Sequence, residues 1–142
     1  MIELIPLCSG IVEVAPGLAI GSGPSGTRSV SAITAARFTG DRLRAELVGA
    51  AAADWMVHNA GIGVIDVRMT LRTDDGALIY MQYGGRLNLG NMANGLIAHV
   101  APVFETGDDR YTWLNAIQAV GKGTIALKDG AARIDYQFFA LS

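Results

Sequence analysis

The sequence predicts an all-β protein, an antiparallel sheet of about eight or nine short strands that is either closed into a barrel or folded as a sandwich. Three observations lead there. Eighteen glycines and four prolines are scattered along the 142 residues instead of gathering in a linker, so they cut the chain into short apolar runs. Inside those runs apolar and polar residues alternate with period two, the pattern of a sheet with two different faces. No strand–helix–strand rhythm of a parallel sheet is present.

The elements follow in order. Residues 3–14 make the first strand, and "APGLAIGSGPSGTRS" surrounds a short extended piece with turn chemistry at Pro16-Gly17 and at Gly23-Pro24-Ser25-Gly26. Residues 29–38 and 42–49 read as a hairpin joined by "TGD", with Gly40 free to take positive φ. Residues 63–72 and 77–85 form the strongest hairpin, through "TDDG" with Gly76 at the left-handed position. Further strands are expected at 95–104, 112–127 and 132–141, with Gly121 and Gly123 bending the second of these. One stretch is open between strand and helical turn: "GAAAADWMVHNA" at 49–60, rich in the best helix former. "DDRYTWLNAIQAV" at 108–120 could also be helical, capped by Asp108 or Asp109, but its alternation and β-formers read as strand.

Length and charge exclude several classes. The chain suits one domain, 1–142, with a real core. Net charge is −2 with 17% charged residues, so no cationic face offers itself to a phosphate backbone, and nucleic acid is not an expected partner. No apolar run approaches the roughly 20 residues that span a bilayer, so no membrane association is expected. "MIELIPLCSGIVEV" has no basic leader, which makes the cytoplasm the expected compartment. Cys8 is the sole cysteine and reads as a buried, inert thiol. His58 and His99 have no partner at a metal-ligand spacing, so no metal and no cofactor are expected. "GSGPSG" fits neither phosphate-binding glycine motif, because Pro24 removes an amide and no helix follows.

Four groups of residues could carry chemistry. Asp66, Arg68, Thr70 and Arg72 alternate with Ile65, Val67, Met69 and Leu71, so the polar row faces either water or a lumen. In a lumen, Asp66 would be a general base and Arg68 a cationic stabiliser. Asp54 and His58 can meet whether their segment is extended or helical, as a proton-transfer pair or as a surface contact. Trp55 and Tyr80 are candidate pocket walls, and "RYTWLN" offers Tyr111, Trp113 and Asn115 as either a ligand-binding face or a core edge.

The segments "EVAPGLAIGSGPSGTRSV", "FTGDRLRAELVGAAAADW", "DVRMTLRTDDGALIYMQYGGR" and "PVFETGDDRYTWLNAIQAVGKG" stand in an order that resembles domain-of-unknown-function family 3237 over nearly the whole chain. The most specific parts are Asp54-Trp55, Asp66 with Arg68, "RTDDGALIY" and "ETGDDRYTWLN". The resemblance implies a closed, lipocalin-like or allene-oxide-cyclase-like β-barrel, often oligomeric, with a small-molecule pocket. Its characteristic polar residues fall on Asp54, Asp66, Arg68, Tyr111, Trp113 and Asn115. Two departures lie near Asp54: Ala35-Ala36 stands where a glycine pair is the family pattern, and "HNAG" introduces His58 and Asn59.

The expected function is cofactor-independent proton transfer, of lyase, isomerase or cyclase type, on a small, largely apolar, oxygenated metabolite of aromatic or polyketide-like kind. Asp66 or Asp54 would be the base, Arg68 with Asn115 or Tyr111 the stabiliser, His58 the shuttle, and Trp55 and Trp113 the walls. A non-catalytic binding barrel and a structural oligomer with a filled lumen are the alternatives. A homodimer or higher homo-oligomer is expected from the low charge and high apolar fraction.

Overall fold

Alternating apolar residues build a twelve-strand antiparallel sheet that curls until its two ends pair. The computed structural model describes residues 1–142 apart from the side chain of Asn94. The strands are β1 (Leu4–Val14), β2 (Leu18–Gly23), β3 (Gly26–Thr39), β4 (Arg44–Leu47), β5 (Ala53–Asp54) and β6 (Val57–Asn59), then β7 (Ile62–Thr73), β8 (Leu78–Asn88), β9 (Leu96–Val100), β10 (Val103–Glu105), β11 (Ala119–Lys128) and β12 (Ala131–Leu141). Pairing runs β1–β3–β4–β7–β8–β9–β11–β12 and back to β1, an eight-stranded closed barrel, with β2, β5, β6 and β10 added to it. The fold expected from alternation is therefore the closed form, which leaves the barrel strands no free edge.

Two of the barrel's staves are spliced from pieces. β4, β5 and β6 succeed one another in the gap between β3 and β7, pairing in turn with the two long strands. The alanine-rich stretch at 49–60 lies here, and it is extended, not helical. Alanine's helix preference amounts to less than ~1 kcal/mol per residue, and the open hydrogen-bonding edges of β3 and β7 outweigh it. Ile33 N–H, for instance, donates to Ala52 O at 3.0 Å and Val48 N–H to Thr70 O at 3.0 Å. Likewise β9 and β10 share β8 and are separated by Ala101-Pro102.

The expected strand over 112–127 is corrected at its start. Thr112–Ala116 is a 3₁₀ turn and the strand begins at Ala119. Leu114 from this turn is fully buried and plugs one end of the barrel, a gain that alternation in a local window does not reveal. A second 3₁₀ turn, Leu89–Asn94, follows β8 at the opposite end, and no α-helix occurs among the described residues.

The lumen is filled from the plugged end upward. Phe38, Phe138, Tyr136 and Tyr83 form an aromatic ladder, with ring centroids 5.5 Å apart for Phe38–Phe138, 5.0 Å for Tyr136–Phe138 and 5.7 Å for Tyr83–Tyr136. No bulge interrupts β11 at Gly121 or Gly123, since the strand pairs with β12 without a register shift. They serve a different purpose. A Cβ at Gly121 would overlap the Phe138 ring, one at Gly123 the Tyr136 ring and one at Gly10 the Phe38 ring, so these glycines let the aromatic rings lie against the barrel wall. Gly76 has φ +94°, as the turn chemistry requires, and Ala77 N–H donates to Thr73 Oγ1 at 2.7 Å within that turn. Gly40 is needed for another reason than positive φ, since a Cβ there would overlap Leu7 O. Cys8 is half-buried, and burial pushes its thiol up to about 12, which keeps it protonated.

Candidate functional site

The polar row of β7 faces outward. Ile65, Val67, Met69 and Leu71 are buried in the lumen, whereas Asp66, Arg68 and Arg72 are exposed. Asp66 and Arg68 therefore do not line a cavity, which corrects the lumen-facing alternative, and no ion pair joins them among the described residues. Arg68 instead lies over the Trp55 ring at 4.4 Å, so Trp55 belongs to the outer wall with it. Tyr80 is on that side too, its hydroxyl donating to Gln82 Oε1 at 3.0 Å. Arg68→Met should consequently change stability by less than ~1 kcal/mol, the value of one exposed cation–π contact, when measured by urea denaturation. A loss of several kcal/mol would show the outer row to be structural.

Tyr111, Trp113 and Asn115 gather at the plugged end. The Tyr111 hydroxyl donates to Asp75 Oδ1 at 2.7 Å in the β7–β8 turn, and Arg42 stacks on Trp113 at 3.8 Å. Asn115 ties down the preceding loop, accepting from Thr106 N–H at 2.8 Å and donating to Thr106 O at 2.9 Å. All three positions hold the plug in place and are remote from Asp54. The partner of Asp54 on β7 is Val67, about 20 Å along the strand from Thr73 at ~3.3 Å per residue.

Asp54 is different. It sits opposite Val67 and opposite Ser31, and antiparallel partners share a face, so its carboxyl points into the lumen. There it borders a cavity of about 40 Å³ near the unplugged end, together with Tyr83, Tyr136, Met56, Val67 and Leu87. The rest of the lining is aliphatic, including Ile33, Ile65, Ile125 and Ile134. Asp66 N–H donates to Asp54 Oδ1 at 3.2 Å and fixes the carboxyl's orientation. His58 is paired with Gly63, four residues along β7 from the Asp54 partner Val67, and no hydrogen bond or ion pair joins it to Asp54 among the described residues.

Electrostatics single out the same three groups. Burial pushes the Asp54 carboxyl up to about 6, against the smaller lowering effect of the Asp66 amide, and the Asp66 charge adds to the rise. Burial also pushes the Tyr136 phenol up to about 12, and raises Tyr83 well above its ordinary value. The two hydroxyls also act on each other, raising Tyr83 and lowering Tyr136, each effect smaller than that of burial. A carboxyl that titrates near neutrality beside a protonated phenol is a pairing suited to taking a proton from one atom while hydrogen-bonding the charge that develops on another. Among the described residues, no group of three or more His, Cys, Asp or Glu side chains is placed to hold a metal ion.

Tyr83 and Tyr136 were not among the residues that sequence reading singled out. A signal was present: in "LIYMQY" and "YQFF" each falls on the apolar, inward-facing phase of its strand. A phenol in a core phase needs a polar partner, and that need points to a site.

The family model described as "Protein of unknown function (DUF3237)" matches residues 2–141. The chain belongs to this family. Among solved structures, a β-barrel-like protein from Acinetobacter baumannii AYE is 30% identical over 100% of this chain and 97% of its own, with a TM-score of 0.83. A protein of unknown function from Clostridium acetobutylicum ATCC 824 is 18% identical, with 100% of both chains covered and a TM-score of 0.82. An enzyme from Penicillium herquei is 19% identical over 98% of this chain and 93% of its own, with a TM-score of 0.68. The last two likenesses establish the DUF3237 barrel as a shared fold. No curated protein matches the chain. In this DUF3237 barrel no helix is long and apolar enough to cross a membrane among the described residues.

Proposed function

We propose that this DUF3237 barrel is a cofactor-independent enzyme of lyase, isomerase or cyclase type that moves a proton on a small, largely apolar, oxygenated metabolite. The observation that carries the reading is the convergence of Asp54, Tyr83 and Tyr136 on one otherwise aliphatic cavity. Ionised Asp54 takes a proton from a carbon next to the substrate's carbonyl. The Tyr136 hydroxyl hydrogen-bonds the enolate oxygen as charge collects there. Protonated Asp54 then returns the proton to another atom of the same molecule, so no electron donor or acceptor is consumed. Catalysis in such a barrel is in line with the neighbour from Penicillium herquei being called an enzyme.

Cavity size shapes the expectation about binding. A pocket that encloses a whole small ligand measures roughly 300 Å³ or more, and this cavity of about 40 Å³ takes only part of one. A metabolite therefore inserts a carbonyl tip and leaves its bulk outside the cavity. The same observation is compatible with a binding barrel that turns nothing over. Homo-oligomerisation fits as well, through an apolar groove of about 560 Å³ on the outer wall along Leu4, Ala101, Val120 and Phe139.

Deuterium exchange separates catalysis from binding. The methyl ketone 4-phenylbutan-2-one in heavy water should lose its α-proton signals faster with protein than without. The catalysed rate should rise with pH through about 6 and level off above, because ionised Asp54 is the active form. Tyr136→Phe should lower it by about 100-fold, the cost of one oxyanion donor. Saturable binding with no accelerated exchange would replace the enzyme reading by the binding one.

A further inference from the structure

On the outer wall Arg86 of β8 stands directly opposite His99 of β9, and His99 directly opposite Lys122 of β11. Cross-strand partners share a face, so the three side chains form one exposed row. Arg86 and Lys122 flank the histidine and start ~10 Å apart, across two strand spacings. No carboxylate of the chain neutralises them. Asp66, opposite Gly84, and Asp135, opposite Thr124, stand on adjoining rows, yet none of the three makes an ion pair among the described residues. Asp135 turns to Arg133 at 3.9 Å instead. Arg86 gives one guanidinium N–H to the neighbouring Gly85 carbonyl at 3.0 Å and keeps the others.

Beside this row the wall is low and apolar. Gly84, Ala101, Val120 and Phe139 follow one another across it, Ala101 N–H donating to Gly84 O at 3.0 Å and Val120 lying opposite Phe139. With Leu4 they floor a groove of about 560 Å³ that Arg86, His99 and Lys122 also line. That volume lies within the roughly 300–1,000 Å³ of small-molecule sites.

We propose that this groove binds an organic carboxylate with an apolar body, of fatty-acid type. Its carboxylate lies on the Arg86–His99–Lys122 row and its body along Gly84, Ala101, Val120 and Phe139. Guanidinium and ammonium groups make charge-assisted hydrogen bonds to a carboxylate, and the missing side chain at Gly84 and the lone methyl of Ala101 let an alkyl chain lie against the sheet. A second copy is the other occupant of such a groove. An isologous contact presents the same patch from both sides, so it adds two cations to the two already there and no carboxylate from the row. Charge complementarity favours the anion. The groove is on the outer face of the wall and Asp54 on the inner, so this site stands apart from the acid–base reading.

Octanoate and 1-octanol, equal in chain length and different in charge, test the site by NMR titration of the labelled protein. Octanoate should bind saturably, shift the amides of Arg86, Ala101 and Lys122, and bind about tenfold more tightly than octanol, the value of one charge-assisted hydrogen bond. The double variant Arg86→Gln, Lys122→Gln, changed only at exposed positions, should bind octanoate no better than octanol. Asp54→Asn should leave both affinities unchanged. Equal affinity of the wild type for the two probes, or an octanoate preference that survives in the double variant, would overturn the carboxylate site. Octanoate binding lost in Asp54→Asn would move the ligand to the lumen and overturn it as well. A dimer that octanoate leaves intact and Ala101→Arg disperses would give the groove to a second copy.

Discussion

Asp54→Asn should slow proton transfer by orders of magnitude and at the same time make the protein more stable at neutral pH. Burial raises the Asp54 carboxyl from 3.8 to about 6 in the folded chain. At ~1.4 kcal/mol per unit the ionised form costs the fold up to about 3 kcal/mol, and partial solvent contact reduces this to about 2. Between those two values the native chain holds a proton that the unfolded chain has released, so stability falls as pH rises through the window. Asparagine keeps an oxygen for the Asp66 amide and has no charge to bury. The melting temperatures of wild type and variant should therefore coincide below about pH 4 and separate by roughly 6 °C above pH 6, the variant higher. A separation that does not change with pH would remove the buried carboxylate from the account. Loss of the base should also lower catalysed deuterium exchange by a factor on the order of 10² to 10⁴. Stability gained where function is lost is the usual sign of an active-site charge held against its own solvation.

The glycine-to-aromatic packing of the lumen should give the largest stability effects. Phe138 is almost completely buried and touches the rings of Phe38, Tyr83 and Tyr136. Phe138→Ala should cost about 4 kcal/mol, the transfer loss plus the cavity left behind. Gly121→Ala should cost about 2 kcal/mol for the opposite reason, because its methyl meets the same ring and the packed wall cannot retreat. The two changes compensate in space, so the double variant should lose at least ~1 kcal/mol less than the sum of the singles. Guanidinium denaturation of the four proteins measures the coupling. Strict additivity would mean that Gly121 is present for backbone reasons and not for ring clearance.

Antiparallel barrel strands, the tight turn at Gly76 and the outward phase of Asp66, Arg68 and Arg72 were all consistent with alternation, because a two-residue period and a positive-φ turn are local properties that each residue carries with it. Alternation identified which residues share a face. It could not say which face was inside, and for β7 the lumen took the aliphatic set, since burying two charges without compensation costs far more than burying methyls gains. Asp54 was legible as a candidate from the Asp-Trp element, but its partners were not. Tyr83 and Tyr136 come from strands far away in the chain, and only closure of the sheet brings their hydroxyls onto one cavity with it. The same applies to Tyr111, Trp113 and Asn115: their local pattern fits a strand, whereas the need to plug an open barrel end turns them into a 3₁₀ turn around Leu114. Most strands, turns and phases were written in local patterns, which depend on neighbours two to four residues apart. The inside of the barrel, its filled and open ends, and the meeting of one carboxyl with two phenols were decided by tertiary structure, because burial and desolvation are properties of the closed sheet and not of any one segment.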